Sequence, residues 1–176
     1  MILQFLLLTI SFFSAIKEET RVIDWDPNKR LSWEDFKGEP NPASTNAALT
    51  NSSITVEFGY SNTGLKYNIK CRFNKLLSWG RIKNDHILSH EQGHFDIAEI
   101  YARKLNKALS AYVFNRNTVS RDVNAIYDDV IKLHHKAQEQ YDDETDYSRN
   151  FKEQEEWKNR IAAELKILES FAKYRR

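Results

Sequence analysis

Ser53-Ile54-Thr55-Val56-Glu57-Phe58-Gly59-Tyr60 and Leu65-Lys66-Tyr67-Asn68-Ile69-Lys70-Cys71-Arg72-Phe73 both alternate apolar with polar side chains, and Ser61-Asn62-Thr63-Gly64 lies between them. A period of two places one set of side chains on each face of a strand, and small polar residues ending in glycine suit a tight turn. The pair predicts a β-hairpin. After Leu76-Leu77-Ser78-Trp79 the period changes from two to 3.6, which predicts helices over residues 82–112, 119–140 and 151–174. The first carries the stripe Ile87, His90, His94, Ile97, Ala98, Tyr101, Leu105, Ala108 and Tyr112. Val123, Tyr127, Val130, His134, Ala137 and Tyr141 mark the second, and Trp157, Ile161, Leu165, Leu168 and Ala172 the third. Asn115-Arg116-Asn117 breaks the pattern between the first two. Strands first and helices after make an α+β class: an N-terminal antiparallel β-hairpin or sheet followed by three helices.

Upstream of the hairpin the chain is polar and turn-rich, with Pro27, Gly38, Pro40 and Pro42. Within it, Leu31-Ser32-Trp33-Glu34-Asp35-Phe36-Lys37-Gly38 holds two aromatics that predict docking onto the body of the domain. The first sixteen residues carry no charged side chain, and Lys17-Glu18-Glu19 then opens the polar chain. This reads as a signal peptide over 1–16, with a single domain over 17–176. No Lys or Arg precedes the apolar run, and Phe13 is large for its place before a cut after Ala15, so an uncleaved anchor is the alternative. The run is shorter than the roughly 20 residues that cross a bilayer, which favours removal.

At 176 residues and 41% hydrophobic content the chain is long enough for one core and short for two. Its 26 basic and 25 acidic residues give a net charge of +1, so no global field attracts nucleic acid or an anionic membrane. Cys71 has no second cysteine to pair with and reads as a small apolar strand residue.

Inside the first helix stands Ser89-His90-Glu91-Gln92-Gly93-His94-Phe95-Asp96. Four helical residues rise about 6 Å and turn almost once around, so two imidazoles at that spacing can converge on one ion at roughly 2.0–2.1 Å each. Glu91 is offset by roughly 100° around the axis, outside the ion's immediate ligands yet beside them, where a general base belongs. The pattern predicts a zinc hydrolase with Glu91 activating water. With strands ahead of the metal helix the layout resembles a reduced zincin, and an edge strand of the hairpin could pair with an extended peptide substrate.

Catalytic zinc usually takes three protein ligands. His86 to His94 spans about 12 Å along the axis, too far to share an ion, and His86 reads as an exposed first-turn residue. Asp96 is turned about 200° from His94 and is rejected. His134 on the second helix and the acidic run Tyr141-Asp142-Asp143-Glu144-Thr145-Asp146-Tyr147 both remain open. The plainer alternatives are that His134 is a satisfied core histidine, the acidic run a solvated loop with caps, and His135 exposed.

The chain resembles a bacterial domain-of-unknown-function family of secreted His-Glu-x-x-His zinc-dependent proteases. The resemblance is carried by the block at Leu31 to Gly38, by Ser78-Trp79, by His90-Glu91-Gln92-Gly93-His94-Phe95-Asp96-Ile97-Ala98-Glu99, by Tyr141-Asp142 with Glu144-Thr145, and by Gln154 with Trp157. It implies His90 and His94 as zinc ligands, Glu91 as base and Asp142 as third ligand. Where related sequences have a histidine two residues after that threonine, this chain has Tyr147, which can donate a hydrogen bond to an oxyanion as His can. The resemblance thus implies an exported peptidase of the periplasm or extracellular space, acting on peptide or protein substrates and without stable membrane insertion. Two other readings stand beside it: a cell-envelope protein whose structural zinc is closed by a fourth ligand such as Asp146 or Glu144, and a metal-free helical adaptor.

Overall fold

The computed structural model describes residues 21–174, and the signal-peptide assignment at 1–16 lies outside the described residues. The predicted hairpin forms from β3 (Ser52–Ser61) and β4 (Gly64–Asn74), in register from Ser52 opposite Phe73 to Ser61 opposite Gly64. Gly64 takes φ +116°, in the left-handed region, so the two-residue connection needs a residue with no Cβ there. A short β1 (Val22–Asp24) joins the other edge of β4, giving a three-stranded antiparallel sheet in the order β1-β4-β3. A second, two-stranded antiparallel ladder pairs β2 (Ala48–Leu49) with β5 (Trp79–Gly80).

Three helices follow: α1 (Asp85–Ser110), α2 (Val119–Thr145) and α3 (Phe151–Ile167), with a 3-10 turn at Glu169–Phe171. The architecture is therefore α+β, an antiparallel sheet followed by three helices. Helix α1 starts later than its periodicity suggests because Asn84 caps it, its side chain accepting from Ile87 N at 2.9 Å. Helix α3 ends sooner than expected, with the chain passing through a 3-10 turn before Tyr174.

Helix α1 is the centre of the molecule. Its residues from Gln92 to Glu99 are buried all round, apart from half-buried His94, whereas period reading showed a single stripe. The reason is that three layers press on it. Phe95, Ala98, Ala102 and Leu105 meet Ile69, Cys71 and Phe73 of the sheet and Val119 and Val123 of α2. Ile97 and Ile100, on the other side, meet Trp157 and Ile161 of α3. Burying each such large apolar side chain is worth roughly 1.5–3 kcal/mol. Cys71 is fully buried opposite Ile54, as its strand placement suggested.

The N-terminal segment wraps this helix and supplies the polar partners that its buried side chains need. Asp96 accepts from Trp25 Nε1 at 2.8 Å, from Arg30 at 2.9 Å and from Gln92 at 2.9 Å. Gln92 in turn accepts the backbone N–H of Leu31 at 2.7 Å. Deeper along α1, Glu99 pairs with Arg103 at 2.8 Å and accepts from the Tyr174 hydroxyl. Such buried charges persist only when paired and hydrogen-bonded. The Trp33 and Phe36 block docks as expected, with the Phe36 ring 5.0 Å from that of Phe73. Among the described residues no helix is long and apolar enough to cross a membrane.

Helix α2 runs five residues beyond the expected end at 140 and takes Tyr141 to Thr145 with it. The acidic run is thus mostly helix, not loop. Tyr141 is buried against Trp157, which holds the added turn on the body, and no glycine or proline interrupts it. The helix stops where Asp146, Tyr147 and Ser148 adopt φ of 49°, 52° and 74° in succession.

Candidate metal centre

The extra turn of α2 brings Asp142 to the two histidines of α1. His90 and His94, at i and i+4, project their Nε2 atoms to the same point, 3.1 Å apart. Asp142 Oδ1 lies 3.1 Å from each of them. Three donor atoms thus form a triangle with equal edges. Ligands at roughly 2.0–2.1 Å in a tetrahedron stand about 3.3 Å from one another, so two imidazole nitrogens and a carboxylate oxygen in this triangle fit three corners around a zinc-sized ion. No other group of three such side chains gathers among the described residues.

The surroundings fix these ligands by two different means. His94 Nδ1 sits 2.6 Å from Gln138 Oε1, so that nitrogen carries the proton and donates, which leaves Nε2 as a free lone pair for an ion. Gln138 is itself fully used: its amide nitrogen donates to His94 O and to His134 Nε2, each at 2.9 Å. His90 Nδ1 is buried with no hydrogen-bond partner, and the ring is held instead by stacking on Tyr141 at 4.5 Å and 17°. Gly93 makes room for that tyrosine, since a Cβ there would lie 2.8 Å from Tyr141 Cζ.

Glu91 is buried on the same helix, and burial pushes its carboxyl above the usual carboxylate range, against the lowering by His94 and by hydrogen bonds from Thr50. One oxygen, Oε2, is buried without a partner, and the residue lines the same cleft as the triangle. Burial lowers the pKa of His90 although Asp142 raises it. For His94 burial is outweighed by Asp142 and Glu91, and its pKa rises. Burial would raise the Asp142 pKa, but the two histidines hold its carboxyl well below the usual range. The site therefore favours an ionised Asp142 beside the two imidazoles, a carboxylate ready to meet a divalent cation.

The cleft encloses about 330 Å³ and is walled on one side by residues 46–52, which include β2 and the first residue of β3. The wall is therefore the strand beside the hairpin and the hairpin's entry, not its outer length. Tyr147 also lines the cleft, at 47% exposure, and Ser148 beside it is buried.

His134 also lines the cleft, but it stands behind Gln138, outside the triangle, and burial lowers its pKa to about 4, so it is neutral. His86 is half-buried where exposure was expected: its Nε2 lies 2.6 Å from Ser148 O and its ring stacks on Phe151 at 3.8 Å. It stands outside the triangle, as its span to His94 along the helix required. Glu144 and Asp146 are engaged elsewhere, Glu144 with Trp157 Nε1 and Arg160, Asp146 with Arg149. Asp96, rejected as a ligand, faces Trp25 and Arg30, away from the triangle. His135 is exposed.

Two residues that support the site escaped sequence reading. Gln138 lies between His134 and Asp142 at steps of four, so the polar row His134, Gln138, Asp142 on one face of α2 was a usable signal. Thr50 carries none, because only the fold brings its loop over Glu91, where its hydroxyl donates to Glu91 O at 3.1 Å.

The chain belongs to the family described as "Bacterial protein of unknown function (DUF922)", whose model matches residues 27–149. That description names no activity. Neither curated proteins nor solved structures offer a match.

Proposed function

We propose that this member of the family is a zinc-dependent peptidase, exported to the periplasm or beyond, with His90, His94 and Asp142 as ligands and Glu91 as general base. The observation that carries the reading is the equal-edged triangle of donor atoms, with buried Glu91 lining the same cleft. A zinc ion held by His90, His94 and Asp142 would lower the pKa of a bound water to about 7 and polarise a carbonyl. Glu91, its pKa raised by burial, is suited to take the proton from the attacking water and to pass it to the leaving amine. Thr50 holds the glutamate's turn in place through its bond to Glu91 O.

The backbone of residues 46–52 offers an extended peptide a partner strand beside the triangle. Tyr147, which lines the same cleft, would donate to the developing oxyanion, and His134, whose Nε2 is taken by the Gln138 amide, is the weaker candidate for that role. A structural zinc would call for a fourth protein ligand, and the engagement of Glu144 and Asp146 with other partners speaks against it.

Glu91→Gln tests the reading directly. The variant is expected to bind one zinc per chain as the parent does and to lose peptide hydrolysis by roughly 10²–10⁴-fold, the range a general base contributes. Unchanged turnover in the variant, or no zinc in either protein, would defeat the proposal.

A further inference from the structure

Asp146, Tyr147 and Ser148 hold φ of 49°, 52° and 74° in succession where α2 ends, and none of them is glycine. A residue with a Cβ is disfavoured in the left-handed region, and a run of three persists only where the surroundings over-determine it. The bonds made within the segment include those that close the helix: Tyr147 N donates to Asp142 O at 2.9 Å and Asn150 N to Thr145 O at 2.8 Å. Among the described residues one hydrogen bond ties 146–148 to a distant part of the chain, and it comes from His86 in the first turn of α1.

Both nitrogens and a ring face of that imidazole are engaged. Nε2 lies 2.6 Å from Ser148 O, and a carbonyl only accepts, so Nε2 carries a proton and donates. Nδ1 is then the acceptor, and the atom 3.4 Å from it is the side-chain nitrogen of buried Gln154, a donor that also reaches His86 O at 3.0 Å. The ring lies on that of Phe151, the first residue of α3, with centroids 3.8 Å apart and 12° between planes. His86 thus joins the start of α1, the left-handed turn and the start of α3.

The turn matters because Tyr147 has little else to place it. The residue is 47% exposed and no hydrogen bond holds its hydroxyl among the described residues, yet it lines the cleft of the metal triangle together with Ser148. Where its side chain reaches is therefore set by the backbone that carries it. We propose that His86 is a positioning residue: by donating to Ser148 O it locks the 146–148 turn and so keeps Tyr147 at the metal cleft. What Tyr147 does there rests on the peptidase reading; the clamp itself does not.

Two variants separate the donor from the ring. His86→Phe keeps a ring to stack on Phe151 but has no N–H, and His86→Gln keeps an N–H near the place of Nε2 but has no ring. Amide hydrogen exchange reads the clamp: His86→Phe is expected to speed exchange of the Tyr147 and Asn150 N–H groups by about fivefold or more, with Ile100 and Leu105 of α1 unchanged, and His86→Gln to recover most of it. Peptide hydrolysis by the zinc-loaded enzyme reads the consequence. In His86→Phe kcat is expected to fall by about 10–100-fold with KM and zinc affinity little changed, and the double variant with Tyr147→Phe to be no slower than Tyr147→Phe alone. Unchanged exchange at Tyr147 and Asn150, no recovery by His86→Gln, zinc affinity falling as far as kcat, or losses that multiply in the double variant would overturn the proposal. A parent without hydrolysis would fail the peptidase reading instead, and the exchange rates would still decide the clamp. Should His86→Phe fold poorly, His86→Ala is read in its place.

Discussion

Asp142 Oδ1 lies 3.1 Å from His90 Nε2 although 52 positions separate the two residues in the chain. Only the last turn of α2 makes that contact possible. Asp142→Ala removes one corner of the triangle, and zinc affinity is expected to fall by more than the roughly 10–100-fold that outer partners of metal ligands are worth. Competition against a chelator of known affinity measures it. Equal zinc affinity in parent and variant would remove Asp142 from the ligand set.

Gln138→Leu leaves all three donor atoms in place but removes the acceptor that holds His94 in its Nδ1-protonated form. A loss of about 10–100-fold in zinc affinity is expected, with the fold intact by circular dichroism. Gln138→Glu keeps an oxygen at Oε1 but loses the donor to His94 O and His134 Nε2, so it is expected to recover only part of it.

His134 supplies a pH dependence to the stability of the metal-free protein. Its folded pKa of about 4 lies below the unfolded 6.5, because burial disfavours the imidazolium. The unfolded chain therefore binds more protons between those values, and stability rises with pH across that window. The contribution is fully present above pH 6.5 and is lost as pH falls toward 4. It amounts to on the order of 3 kcal/mol at 1.36 kcal/mol per unit. Urea titrations of chelated protein from pH 4 to 7 read it out. His134→Gln, which keeps an acceptor for the Gln138 amide and cannot titrate, is expected to flatten this part of the curve.

Gly93→Ala would ordinarily stabilise a helix interior by up to about 1 kcal/mol. Here the new methyl would meet the Tyr141 ring, 2.8 Å from Cζ, and Tyr141 carries the stack that orients His90. Destabilisation by about 1–3 kcal/mol is expected, the range for overpacked cores, together with weaker zinc binding. Tyr141→Phe on top of it removes the atom closest to the clash and recovers part of the loss. Thermal melts of the two single variants and the double variant provide the comparison.

Much of this arrangement was legible before the fold was known, for local reasons. Alternation over Ser53 to Phe73 fixes which side chains share a strand face, and Gly64 answers the turn's need for a positive φ. The i and i+4 spacing of His90 and His94 places two imidazoles together on any straight helix, so their convergence needed nothing from the rest of the chain. Exclusion of His86 and Asp96 from the triangle followed from the same geometry.

Other features depended on distant partners. The end of α2 was misjudged because the acidity of residues 142–146 suggests a solvated loop, whereas burial of Tyr141 against Trp157 pays for one more helical turn. His86 was expected in solvent, but Ser148 and Phe151, more than sixty residues away, cover it.

The sequence by itself determined the elements, the order sheet then helices, and the pair of histidines with a glutamate between, since each depends on side chains within a turn or two of one another. Tertiary structure alone decided that Asp142 completes the triangle, that Gln138 sets the His94 proton and that Thr50 lies over Glu91. Those contacts join segments whose meeting is set by how much apolar surface α1 buries on all its sides, a quantity that no local spacing records.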